Sequence, residues 1–208
     1  MADMCLKVIG SGVVFPQPGT NASCYLVSNG GAQLVMDMGY GAFKRLSAEG
    51  VDFNEIDNIF ITHGHPDHYS DLIPFFHAAR QGRKKDLNLY GYGGLNELVQ
   101  AIFNLPGTAP ESYKLNVLEL HNEDSIEMAA FRVTAYVMEH FPNGLGLRIA
   151  AGGACIAYTG DTDMCPNLAV LAQAADLLVA ECSYDNGHKK KGHLIPREVG
   201  QLAAKANV

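Results

Sequence analysis

The chain has no long apolar run, no excess of positive charge and no paired-cysteine motif, and each absence removes a class of protein. No stretch approaches the roughly 20 apolar residues that a membrane-spanning helix needs. The opening Met1-Ala2-Asp3-Met4 carries no basic segment ahead of an apolar one, so no secretory leader is expected. The formal charge of −7 offers no general attraction to nucleic acid or to an anionic membrane. The five cysteines (Cys5, Cys24, Cys155, Cys165 and Cys182) are odd in number, scattered and without a Cys-x-x-Cys pair. They read as small core residues in a reducing compartment, so a cytoplasmic location is expected. Neither a linker nor a low-complexity segment interrupts the 208 residues, and the expectation is one domain over 1–208.

What remains is a dense alternation of short strands and helices. Runs rich in Val, Leu, Ile and Tyr predict strands over 5–9, 23–28 and 33–37, followed by a helix over 41–49 and a buried strand over 57–62. Apolar residues at 72, 73, 75, 76 and 79 give a helical stripe within 70–82. A strand over 87–90, a helix over 93–104 and a loop over 105–112 complete the first half. The second half predicts strands over 116–120, 131–139, 145–150 and 154–158, a helix over 166–175, a strand over 177–181 and a helix over 196–206. Helices interspersed with strands in both halves indicate an α/β layered domain.

The densest chemistry lies in His63-Gly64-His65-Pro66-Asp67-His68, directly after Ile59-Phe60-Ile61-Thr62. Neutral imidazoles and a carboxylate are the ligand set of Zn²⁺ and its first-row neighbours. A turn leaving a strand end can aim His63 and His65 at one ion and Asp67 and His68 at a second. Two divalent ions would also offset about half of the net charge locally. Three further groups stand at strand ends, where functional residues are usually displayed: His140, Asp161 in Tyr158-Thr159-Gly160-Asp161-Thr162, and His193 in Lys191-Gly192-His193-Leu194.

In that order, the chain resembles the metallo-β-lactamase superfamily, ribonuclease Z-like branch. The resemblance covers nearly the whole sequence. It rests on Gly10-Ser11-Gly12, Asn21-Ala22-Ser23, Asp37-Met38-Gly39, His63-x-His65-x-Asp67-His68, His140, Gly160-Asp161-Thr162 and Gly192-His193-Leu194. It implies an αββα sandwich in which His63, His65 and His140 hold a first ion, Asp67 and His68 a second, and Asp161 bridges them. The cofactor is expected to be zinc, one or two ions, with Mn or Fe as alternatives set by supply. The family supplies one more metal-binding His in a strand after the last helix. The sequence as given ends at Val208, where that strand would begin, so a last strand and helix are expected to be missing. In ribonuclease Z a long arm that grips tRNA sits between the segments matching His140 and Asp161. Only twenty residues separate them here, and two predicted strands use most of these, so tRNA is not an expected partner.

The implied chemistry is hydrolysis, with metal-bound hydroxide attacking a small ester, most naturally a phosphodiester. Asp67 would orient the water and accept its proton, and His193 would donate to the developing negative oxygen or to the leaving group. Lys189-Lys190-Lys191 is a candidate anion anchor, whereas Arg83-Lys84-Lys85 reads as a solvated helix end. Glu181 resembles a family position that supports the last histidines, and an ordinary strand-end carboxylate explains it equally well. Cys165 reads as helix-start packing. The competing readings are hydrolysis of a carboxylic ester, lactone or thioester, and a non-catalytic metal-binding sensor with a degenerate second site. A homodimer is a further family expectation.

Overall fold

The computed structural model of the chain describes residues 4–141 and 143–208. Residues 1–3, which bear on the expected absence of a leader, lie outside the described residues. The chain divides into two compact units, an N-terminal one over Cys5–Glu119 and a C-terminal one over Leu120–Val208 that also takes in Met4.

The N-terminal unit is a six-stranded sheet with helices between its later strands. Strands β1 (Cys5–Gly10), β2 (Cys24–Asn29) and β3 (Ala32–Met36) form an antiparallel meander. After helix α1 (Ala42–Ala48), strand β4 (Asn58–Ile61) runs parallel to β3. The short helix α2 (Pro66–Tyr69) and helix α3 (Leu72–Gly82) lead to β5 (Leu87–Gly91), and helix α4 (Leu95–Phe103) leads to β6 (Leu115–Glu119), both strands again parallel. Parallel strands buried on both faces read as continuous apolar runs. Val35, Met36, Ile59, Phe60 and Ile61 are accordingly buried. The predicted stripe of α3 buries Leu72, Phe75, Phe76 and Ala79. Phe75 meets Phe43 and Phe53 edge-on at ring separations of 5.6 and 6.2 Å.

The C-terminal unit is a five-stranded sheet in the order β11-β10-β9-β8-β7. Its strands are β7 (Ser125–Glu127), β8 (Arg132–Val137), β9 (Leu145–Ala151), β10 (Ala154–Tyr158) and, after helix α5 (Pro166–Ala172), β11 (Leu177–Val179). All neighbours are antiparallel except β10 and β11. Helix α6 (Pro196–Ala206) buries Leu202 and Ala206 in a cluster with Met138, Ala157, Leu168 and Leu171. Strand β7 was not expected, because three residues with two polar side chains carry no readable period. Its register, with Ser125 opposite Thr134 and Glu127 opposite Arg132, is set by its neighbour. Among the described residues no helix is long and apolar enough to cross a membrane, and all five cysteines are unpaired.

Candidate metal centre

In the N-terminal unit the loop that carries the candidate ligands leaves the carboxyl end of β4, the end at which open parallel sheets present their ligand sites. His63 and His68 are buried, while His65 and Asp67 are partly exposed. Their supporting group is Asp37, a fully buried carboxylate just past β3. It accepts the Thr62 amide at 2.8 Å, the Thr62 hydroxyl at 2.9 Å and His68 Nδ1 at 2.8 Å. A carboxylate only accepts, so His68 carries its proton on Nδ1 and its lone pair on Nε2. Thr62 donates its hydroxyl proton to Asp37 and therefore accepts from His63 Nδ1 at 3.1 Å, which leaves the His63 lone pair on Nε2 as well. That Nε2 lies 3.1 Å from His65 Nδ1. Two nitrogens bound tetrahedrally to one zinc ion lie about 3.4 Å apart, so the pair is spaced as ligands are. His68 Nε2 and Asp67 Oδ2 are 4.0 Å apart.

Gly64 is required for a steric reason. A Cβ there would sit 2.6 Å from Tyr92 Oη, so any side chain would displace either the loop or Tyr92. Burial pushes the Tyr92 phenol up to about 12, and it remains a neutral wall behind the histidines across the physiological range.

The C-terminal unit assembles a second group from three separate segments. His140 follows β8, Asp161 follows β10, and His193 precedes α6. One ligand atom from each fits within 4.8 Å of the others. His140 Nδ1 donates to the Gly192 carbonyl at 2.8 Å, which puts its lone pair on Nε2, 4.0 Å from Asp161 Oδ2. His193 donates from Nδ1 to Glu181 Oε1 at 3.0 Å, and that nitrogen lies 3.8 Å from Asp161 Oδ2. Glu181 is itself fixed by the Thr162 amide at 2.8 Å and the Ser183 hydroxyl at 2.8 Å. The hydrogen bond to Glu181 holds the His193 pKa above its usual 6.5, with the charges of Glu181, Asp161 and Asp163 adding to it against partial burial.

Each unit thus presents ring nitrogens whose opposite edges are pinned to acceptors, a donor set that fits a borderline divalent cation. Other polar groups are engaged elsewhere. His188 is exposed and pairs with Asp185. Arg83, expected on a solvated helix end, is fully buried and bonds to Asp57 and to the carbonyls of Phe53, Lys85 and Asp86. Lys189, read as a possible anion anchor, instead bonds to Asp163 and Glu198. Lys190 lies over the Tyr184 ring at 5.1 Å. Cys165 packs against the α5–α6 cluster as expected. The supporting groups Asp37, Thr62 and Gly192 had no assigned role in the sequence, although a lone acid closing an apolar strand signals both Asp37 and Glu181.

Residues 35–208 match the family described as the Beta-lactamase superfamily domain. The chain belongs to this superfamily. The probable metallo-hydrolase YhfI of Bacillus subtilis is 25% identical over 98% of this chain and 83% of its own length. Its crystal structure, a metallo-β-lactamase fold, superposes with a TM-score of 0.89 over 100% of this chain and 83% of that one. The ribonuclease Z of Archaeoglobus fulgidus is 24% identical over 98% of this chain and 84% of its own. Human tRNase Z, short form, superposes with a TM-score of 0.84 at 23% identity, over 97% of this chain and 88% of that one. The metallo-β-lactamase fold is therefore the fold of this chain, and its relatives include ribonuclease Z and YhfI proteins. The alignment to the Archaeoglobus enzyme runs over 258 positions against the 208 residues here, whereas that to YhfI runs over 210. The interval between His140 and Asp161 holds the β9–β10 hairpin, closed at Gly152-Gly153.

Proposed function

We propose that the chain is a metal-dependent hydrolase of small phosphodiesters, with His63, His65 and His140 holding one ion, Asp67 and His68 a second, and Asp161 shared. The observation that carries this reading is the tautomer pattern. His63, His68 and His140 each donate from Nδ1 to a fixed acceptor, so each offers Nε2 to a cation without reorganisation. Divalent ions in such a centre bring the pKa of water near 7 and offset charge on the attacked ester. Asp67, partly exposed and 4.0 Å from His68 Nε2, orients the water and takes its proton in this reading. His193, held protonated on Nδ1 by Glu181, is the proton donor to the leaving oxygen. The ribonuclease relatives support a phosphodiester, and the short hairpin between His140 and Asp161 supports a compact substrate over tRNA.

The test is turnover of bis-p-nitrophenyl phosphate by metal-stripped protein reloaded with Zn²⁺ or Mn²⁺. Asp67→Ala is expected to lower kcat by about 10²–10⁴-fold. No metal-dependent turnover above the Asp67→Ala background overturns the reading. One observation favours a carboxylic ester, lactone or thioester instead: Lys189 spends its charge on two carboxylates and leaves the substrate one anion anchor fewer. Faster turnover of p-nitrophenyl acetate or a lactone than of the phosphodiester, lost in Asp67→Ala, decides for that second reading.

A further inference from the structure

The run Lys189-Lys190-Lys191 has the composition of an anion site, yet its first member faces inward along the chain's own surface. Lys189 Nζ lies 2.6 Å from Asp163 Oδ1 and 2.6 and 2.7 Å from the two oxygens of Glu198. Those three residues sit on three segments: the turn after β10, the loop between β11 and α6, and the first turn of α6. Each of the two acids is also tied to backbone. Asp163 accepts the Met164 amide at 2.8 Å and the Gly192 amide at 3.0 Å. Glu198 accepts the Ile195 amide at 3.3 Å. Gly192 in turn passes its carbonyl to His140 Nδ1 at 2.8 Å. It can do so only as glycine, because its φ is +87° and a Cβ would press on His140 Nδ1 at 3.3 Å.

We propose that Lys189 is a positioning residue: the Asp163–Lys189–Glu198 buckle holds the Gly192 backbone in place, and through the Gly192 carbonyl it fixes the ring orientation and tautomer of His140. Without the ammonium, Asp163 and Glu198 are left as two neighbouring carboxylates with nothing between them, and their repulsion opens the loop that carries both Gly192 and His193. A surface ion pair contributes little to stability as such, so the loss is expected in the geometry of the loop and not in the fold. The ammonium bridges two carboxylates from different segments, which is a constraint that Lys190, over an aromatic ring, does not supply.

The inference rests on His140 being a metal ligand, and its test is independent of catalysis. In metal-free protein, ¹⁵N-detected imidazole spectra report the His140 tautomer directly. The wild type and Lys189→Arg are expected to show the Nδ1-protonated form. Lys189→Met and Asp163→Ala are expected to show a mixture, and Lys190→Ala to match the wild type. Competition with a chromophoric chelator is expected to show Zn²⁺ affinity about 10–100-fold weaker in Lys189→Met, restored by Lys189→Arg. An unchanged tautomer in Lys189→Met, or an equal shift in Lys190→Ala, overturns the proposal. A wild type that turns over no ester while Lys189→Met still shifts the tautomer removes the hydrolase reading and leaves the buckle standing.

Discussion

The two units solve the same problem, holding imidazoles with their lone pairs outward, by opposite means. The N-terminal unit concentrates its candidate ligands in six consecutive residues and backs them with one fully buried acid, Asp37. The C-terminal unit draws His140, Asp161 and His193 from three segments and backs them with a nearly buried acid, Glu181, and a more exposed one, Asp163. In the first, ligand orientation is part of the core, so it cannot be lost without damaging the fold. In the second, it depends on loop contacts near solvent, where water can replace a lost partner.

The largest expected contrast is in stability. Asp37→Ala strands the Thr62 amide and His68 Nδ1 in a fully buried setting and is expected to cost about 3–5 kcal/mol in denaturant unfolding, together with metal binding. Glu181→Ala removes the acceptor of the Thr162 amide, the Ser183 hydroxyl and His193 at a position less completely buried than Asp37, and is expected to cost about 1–3 kcal/mol. Equal losses in the two variants would erase the distinction between core-borne and loop-borne support.

A smaller effect sharpens it sterically. Gly64→Ala is expected to weaken metal binding by misplacing His63 and His65, and adding Tyr92→Phe is expected to restore part of it, because the nearest obstruction is the Tyr92 hydroxyl. No restoration would place the obstruction elsewhere.

The N-terminal group was legible in the sequence because its candidate ligands lie within six consecutive residues and are spaced by a turn. The C-terminal group was legible only residue by residue, through resemblance, since nothing in the spacing of His140, Asp161 and His193 says that they meet. The supporting network was harder still. Asp37 lies 25 positions from Thr62 and 31 from His68, and its role exists only once β3 and β4 are paired. Lys189 was misleading, because a run of three lysines advertises an anion site until Asp163 and Glu198 are folded against it. Arg83 misled in the same way, its charge absorbed by carbonyls that no linear pattern reveals. Most strands and helices were legible to within a few residues because their short apolar runs are bounded by Gly, Asn and Pro, whereas β7 is defined by its partner alone.

The smallest expected effect is one of pH. The folded-state pKa of His193 is raised above its usual 6.5, so the protonated ring stabilises the metal-free fold. That contribution is complete below the unfolded value and fades as pH rises through the folded one. Glu181→Gln removes the main cause of the shift. The stability difference between wild type and Glu181→Gln, measured without metal, is therefore expected to be widest on the acid side and to narrow as pH rises through the raised folded-state value. A difference that does not vary with pH contradicts the assignment of Glu181 as the partner that keeps His193 protonated.

The proposal stands or falls on His63 and His140 each being a metal ligand. Elemental analysis of purified protein tests it most directly, comparing wild type with His63→Ala and His140→Ala, one substitution in each unit. At least one transition-metal ion per chain in the wild type, lost in both variants alike, is the predicted result. Metal retained in full when His140 is replaced, or a wild type that binds none from a zinc-buffered solution, would contradict it.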